Sequence, residues 1–232
     1  NSGIDIDYHI IGFAKVIGDI TDGARQVIPF FIIALLIIGI LVFYYSQAWS
    51  TTLVSLGCSL VAVIWQMGLL PLIGFGLDPM SILVPFLIFA IAVSHSVQMI
   101  SAIRVDIYLG ADSLEAARHS FRRLFVPGII ALLSDCVGFI TILLIDIEII
   151  QEMAITASLG VAVIIFTNLF LLPVLASYLK LDKTYLDRIN RRAAVLMPKW
   201  NRLAMITDRK YAVPVTLFAL GLFVFGFWKG AD

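Results

Sequence analysis

Six runs of apolar residues divide the chain, and each is long enough to cross the hydrocarbon core of a bilayer as a helix of about 20 residues. They cover residues 27–45, 51–75, 80–103, 124–145, 154–179 and 211–228. None has the alternating pattern of a barrel strand, and lipid offers no partner for backbone N–H and C=O groups. We therefore predict an all-α membrane protein, a six-helix transmembrane bundle, with spans numbered one to six in chain order.

Local signals predict where two spans begin. Asp78 followed by Pro79 is typical of an N-cap and first helical position, here at the start of span three. Before span four, either Asp112 or Ser113 is expected to cap a short helix, with Glu115 three residues after Asp112. This helix is predicted to lead directly into span four.

Residues 180–210, between spans five and six, form a basic linker. In its segment 183–209 the apolar residues fall near one helical face, and Arg188, Arg191 and Arg192 lie largely on the other. This pattern predicts an amphipathic helix at the membrane surface, which Pro198 is expected to bend or end. A solvated linker is the alternative, because the apolar face is only moderately regular.

The charges of the connections predict an orientation. Thirteen of the sixteen lysines and arginines lie between spans three and four or in residues 180–210, whereas the connections after spans two and four are acidic. By the positive-inside rule, the basic segments face the cytoplasm. Both chain ends are then expected on the other side of the membrane.

Composition narrows the possible functions. Hydrophobic residues make up 61% of the 232 residues and charged residues 14%, with no net charge, whereas about a quarter of a soluble domain is charged. There is no basic surface for nucleic acid, no nucleotide motif, and no metal-ligand spacing around Cys58 or Cys136. We expect no nucleic-acid partner, no cofactor and no metal, and an energy source in an ion gradient or a partner.

Two ionisable residues lie inside the predicted spans, His95 in span three and Asp135 in span four. At about 1.5 Å of rise per residue, His95 lies about 14 Å, and Asp135 and Asn168 about 18 Å, from the nearest basic residue at the cytoplasmic end of each span. Three polar groups on three consecutive spans are therefore expected near the bilayer midplane.

This depth makes His95 and Asp135 candidates for a proton relay. Histidine titrates near neutral pH, and a carboxylic acid withdrawn from water titrates in the same range. Ser94, Gln98 and Asn168 would be supporting polar groups. The alternative is that His95, Asp135 and Asn168 bond one another only to hold helices together, at about 1 kcal/mol. We favour the relay, since a neutral pair would support the helices at lower cost.

Span three also carries a small and polar stripe at helical spacing, which we interpret as a helix-packing surface, formed by Ala90, Ser94, Gln98 and Ser101. An intramembrane hydrolase using Ser94, His95 and Asp135 is disfavoured. Neighbouring residues of a helix point about 100° apart, so Ser94 and His95 make a poor nucleophile and base pair. We therefore expect that the protein is not an enzyme.

Several short motifs follow one another in a specific order along nearly the whole chain. They are residues 44–49 (YYSQAW), 63–68 (VIWQMG), 77–80 (LDPM) and 90–98 (AIAVSHSVQ), and then Gly138-Phe139, Leu159-Gly160 and Leu172-Pro173. Their order resembles the resistance-nodulation-division (RND) superfamily of exporters, especially its hydrophobe and amphiphile efflux branch, which is related to the sterol-sensing-domain proteins.

The resemblance implies a 12-span exporter with two similar halves, of which this chain would be the central segment. Residues 1–26 would end a periplasmic domain, and residues 27–179 would form a five-span, sterol-sensing-like bundle. Residues 180–210 would be a cytoplasmic amphipathic linker, and residues 211–232 the first span of the second repeat with the start of its periplasmic domain. The chain would lie in a bacterial inner membrane with both ends in the periplasm.

The resemblance also implies that proton movement through the middle spans drives export of hydrophobic, amphiphilic or lipid-like molecules. The expected partners are membrane lipids, such a substrate, further copies of the chain in a dimer or trimer, and periplasmic proteins. The alternatives are a lipid- or sterol-sensing-like regulatory module that transports nothing, and a protein-export accessory.

One departure from the family pattern concerns the proton carrier. Many relatives have an aspartate followed by an aromatic residue where this chain has Ser94 and His95. Either His95 together with Asp135 takes over that role, or coupling lies mainly in the second half of such an exporter.

Overall fold

Helices make up all the regular structure in the part of the chain that the computed structural model describes, residues 12–76, 81–180 and 183–230. In chain order they are α1 (Phe13–Ser46), α2 (Trp49–Leu69), α3 (Val84–Tyr108), α4 (Ser113–Thr141), α5 (Glu148–Ile164), α6 (Leu172–Ser177), α7 (Lys183–Ala204) and α8 (Arg209–Gly230). A π-helical segment, Ile165–Leu171, joins α5 to α6. Six helical stretches are long and apolar enough to cross a membrane. The predicted all-α, six-span architecture is confirmed.

The membrane-spanning stretches follow the predicted runs but have different ends. They cover residues 21–46, 49–73, 81–108, 113–144, 148–177 and 210–230. α1 begins 14 residues before the predicted span, because hydropathy marks the part of a helix that suits lipid and not the ends of the helix. The predicted start of span three at Asp78 and Pro79 lies outside the described residues.

The start of α4 agrees with the prediction from sequence. The Asp112 carboxylate accepts a hydrogen bond from the Glu115 backbone N–H at 2.7 Å. This bond satisfies one of the N–H groups that the first turn of a helix leaves without a partner. The helix then continues without interruption to Thr141, so the short helix predicted before span four and span four itself are one element.

The chain divides into two compact units, residues 1–181 and 182–232. The second contains α7 and α8, joined by a 3₁₀ turn at Met205–Thr207. α7 is the helix predicted in the basic linker, but it passes through Pro198 and ends at Ala204. Pro198 was predicted to bend or end this helix, and it does not end it. Proline removes one backbone hydrogen bond and crowds the carbonyl four residues before it, which kinks a helix that it does not break.

In the first unit, α2, α3 and the fifth span (α5, the π-helical segment and α6) pack against one another, and α1 packs mainly on α2. α5 packs tightly against its neighbours at Gly160. A Cβ atom added there would lie 2.5 Å from Ile88 Cγ1 and 3.0 Å from Gln66 Cδ. Small residues let membrane helices approach in this way, and the contact is made by van der Waals packing.

We predict that Gly160→Ala destabilises the first unit by about 1–3 kcal/mol, the usual cost of extra volume in a packed core. Ile88 is completely buried and has little room to move away. The measurement is the free energy of unfolding from titration with sodium dodecyl sulfate in mixed micelles.

The matched control is Gly57→Ala in α2, where an added Cβ meets nothing within 4 Å. That variant should be unchanged or up to about 1 kcal/mol more stable, because alanine favours helix more than glycine does. Equal effects of the two substitutions would contradict the close approach at Gly160.

Candidate functional site

His95 lies half-buried on α3 beside a cavity of about 180 Å³ between α3, α4 and the π-helical segment. Gln98 lines the same cavity, as do Gly128 and Ala131 of α4 and Leu169. The His95 Nδ1 atom is 3.1 Å from the carbonyl oxygen of Ile91 in its own helix. Because a carbonyl oxygen only accepts hydrogen bonds, this bond uses the tautomer with the proton on Nδ1, which leaves Nε2 as an acceptor.

Asp135 is exposed on α4. It lies seven residues after Gly128 and four after Ala131, so it shares a helical face with these two cavity-lining residues but does not line the cavity itself. No hydrogen bond or ion pair joins it to His95 in the described part of the chain. The Asp135 carboxyl group therefore lies about one helical turn beyond the cavity and does not contact the His95 imidazole directly. An ionisable group exposed at this depth needs water or another protein surface beside it.

Ser94 and Gln98 are exposed on α3. The stripe that includes them was predicted to pack helices. Ala90, Ser94 and Gln98 are exposed in this chain, whereas Ser101 accepts a hydrogen bond from the Tyr45 hydroxyl of α1 at 2.9 Å. The buried stripe of α3 is a different one, with Ile88, Ala92 and Ser96 at its centre. Both stripes have helical spacing and contain small and polar residues. The sequence therefore does not show which of the two is buried, and only packing against the neighbouring helices decides it. We refer to Ser94, His95, Gln98 and Asp135 as the α3–α4 polar residues.

Asn168 lies in the π-helical segment and is completely buried. Its side-chain amide Nδ2 donates hydrogen bonds to the carbonyl oxygen of Ala92 and, at 3.1 Å, to Ser96 Oγ. It therefore contacts α3 at residues about 60–100° around the helix from His95 and does not join His95 and Asp135 in one cluster. π-Helical turns in the middle of a helix are frequent at functional sites.

The Asn168 bonds continue into α2 through residues that the sequence analysis missed. Ser96 Oγ donates to the carbonyl oxygen of Ser55 at 3.3 Å, and it lies 3.3 Å from Ser59 Oγ. Further along α2, Gln66 donates to the carbonyl oxygen of Thr156 in α5 at 3.1 Å. The signal in the sequence was the helical spacing of Ser55, Ser59 and Gln66 in span two. Neutral polar groups thus link α2, α3 and the fifth span inside the bundle.

A second missed feature is an ion pair at the end of α3. Asp106 is 8% exposed, and its carboxylate lies 3.2 Å from Arg123 Nη2 and accepts a hydrogen bond from Ser120 Oγ at 3.1 Å. The apolar run of span three ends at residue 103, so Asp106 read as part of a connection. It lies in the last turn of the helix and ties α3 to α4.

Among the described residues, no group of three histidine, cysteine, aspartate or glutamate side chains is placed to hold a metal ion. Comparison of the chain with known protein families gives no match, and comparison with curated proteins gives none either.

We predict that Asn168→Ala lowers the free energy of unfolding by about 1–2 kcal/mol, because it removes hydrogen bonds between buried helices and leaves a small cavity. The measurement is unfolding in mixed micelles. The control is Ser134→Ala on α4, whose exposed hydroxyl donates only to the carbonyl oxygen of Ile130 in the same helix. A loss no larger for Asn168→Ala than for Ser134→Ala would show that the interhelical bonds contribute nothing.

Proposed function

We propose that the chain is the membrane segment of an RND-type transporter that uses the proton-motive force to export hydrophobic, amphiphilic or lipid-like molecules. The observation that carries the proposal is the set of α3–α4 polar residues. They include an imidazole and a carboxyl group in helices that are long and apolar enough to span a membrane. Ionisable residues inside membrane spans are costly and usually mark ion or proton pathways.

The environment of His95 supports a role in proton transfer. Its Nδ1 proton is held by the Ile91 carbonyl, so Nε2 would exchange a proton with water in the adjacent cavity. A volume of about 180 Å³ is enough for several water molecules. Water there would bridge the space between His95 and the carboxyl group of Asp135, which the helices hold apart.

The exposure of Asp135 supports a larger assembly around this segment. Hydrocarbon does not solvate a carboxylate, so a second protein surface or a water-filled cleft would face α3 and α4. In an exporter with two similar halves, the second half would supply that surface. Periplasmic ends in a bacterial inner membrane, copies in a dimer or trimer, and periplasmic partner proteins belong to the same proposal.

Transport would depend on a change of shape, and two features of the fifth span support this. The π-helical segment replaces regular α-helical hydrogen bonds at the centre of the span. Asn168 there bonds to α3, which also carries His95. A change in the charge of His95 would therefore act on a helix that is tied to the irregular part of the fifth span.

A lipid-binding regulatory module that transports nothing is the second candidate. An apolar groove between α4 and α6 favours it, because such a groove suits a hydrocarbon chain. This module would bind lipid equally well at any pH and membrane potential. A protein-export accessory would share the membrane segment and differ in what its periplasmic domains bind.

The test is efflux of the hydrophobic dye N-phenylnaphthylamine from cells that carry the full-length protein. We expect a protonophore to stop efflux, and Asp135→Asn and His95→Ala each to reduce it about tenfold or more, because each removes a proton-carrying group. Ser134→Ala, next to Asp135 on the same helix, should have wild-type efflux. Undiminished, protonophore-sensitive efflux in both His95→Ala and Asp135→Asn would sink the local proton relay, and efflux that ignores the protonophore would sink proton coupling itself.

A further inference from the structure

A groove of about 420 Å³ opens between α4 and the end of the fifth span, away from the α3–α4 polar residues. The Ser113 hydroxyl donates a 2.6 Å hydrogen bond to the carbonyl oxygen of Leu179, which brings the start of α4 and the end of α6 together. The groove therefore begins at one end of the two spans and runs inward. From Tyr178 to Phe170 it extends over eight residues, about 12 Å of helix.

The inner part of this groove suits a hydrocarbon chain. Its floor contains the buried side chains of Ala117 and Pro173. Phe121 and Phe170 stand on opposite helices with ring centroids 5.8 Å apart, and Val174 lies one turn from Phe170 with 55% of its surface exposed. A peptide segment would bring backbone N–H and C=O groups, for which these side chains offer no partners.

The outer part of the groove carries one positive charge. Arg118 lines it and is exposed, and no carboxylate lies within ion-pair distance of its guanidinium in the described part of the chain. Arg123, five residues further along α4, is different because it pairs with Asp106. The exposed ring of Tyr178 stands at the same end of the groove, as tyrosine does at the level of lipid headgroups.

We propose that this groove binds one molecule of an acidic phospholipid, with its phosphate on Arg118 and one acyl chain between Phe121, Phe170 and Val174. The planar guanidinium suits a phosphate group, and arginine near a membrane surface attracts anionic lipid. No carboxylate lines the groove to receive the ammonium group of a zwitterionic headgroup. The site therefore favours phosphatidylglycerol over phosphatidylcholine. It is independent of the proposed proton relay.

The test is native mass spectrometry of the full-length protein released from nanodiscs that contain equal amounts of phosphatidylglycerol and phosphatidylcholine. The wild type should retain one molecule of phosphatidylglycerol. Arg118→Gln should reduce this retention about fivefold, the effect of one arginine near the membrane surface, and Arg122→Gln should leave it within about twofold. Arg122 is exposed on the same helix but does not line the groove.

A second pair of variants tests the acyl-chain part of the site and keeps every charge. Val174→Trp fills the groove and should reduce retained phosphatidylglycerol about fivefold or more, whereas Val126→Trp, at an exposed position of α4 outside the groove, should not. Equal retention of the two lipids, equal losses in the two arginine variants, or no loss in Val174→Trp would each overturn the proposal. Dye efflux is a separate readout, so failure of this site and failure of proton coupling are distinguishable.

Discussion

The structure depends on one constraint, which is that hydrocarbon supplies no hydrogen-bond partners. Every backbone N–H and C=O group inside the membrane must be satisfied within the protein, and a helix does this along a single segment. Side chains meet the same constraint only in part. Asn168 Nδ2, Ser96 Oγ and Ser59 Oγ are buried together and contact one another across helix boundaries. In the described part of the chain the buried oxygens without a hydrogen-bond partner are Gln66 Oε1, Thr156 Oγ1, Ser158 Oγ and Asn168 Oδ1. The buried Asn168 lies in the π-helical segment Ile165–Leu171, where the hydrogen-bond pattern of the fifth span changes.

This constraint explains which features could be predicted from sequence. Apolar runs predict membrane spans because only apolar side chains are stable in hydrocarbon. The Asp112 cap is predictable because it involves only four consecutive residues. The rotation of each helix about its axis is not local. Depth along the span places His95 and Asn168 at similar levels, yet Asn168 bonds to Ala92 and Ser96 and not to His95. Only packing against α2 and α5, with Gly160 in close approach, fixes that rotation.

Two residues near the ends of helices, Asp106 and Pro198, have surroundings that the hydropathy pattern does not predict. Asp106 read as part of a connection because a hydropathy run ends at the first charged residues, whereas the helix continues for another turn and pairs Asp106 with Arg123. Pro198 was expected to bend or end α7 because proline lacks an N–H group, and the helix passes through it. The apolar pattern of the sequence shows which segments suit the membrane. Tertiary contacts decide which polar side chains in and beside those segments form hydrogen bonds or ion pairs.

The central claim is that water reaches the α3–α4 polar residues inside the membrane. The most direct measurement is the reaction of Ser94→Cys with a charged, membrane-impermeant methanethiosulfonate reagent, with Cys58 and Cys136 both replaced by alanine. Leu133→Cys, at an exposed apolar position of α4, is the matched control for a side chain that faces lipid. We predict fast labelling of Ser94→Cys and little labelling of Leu133→Cys. Equally slow labelling of both would show that water does not reach these residues.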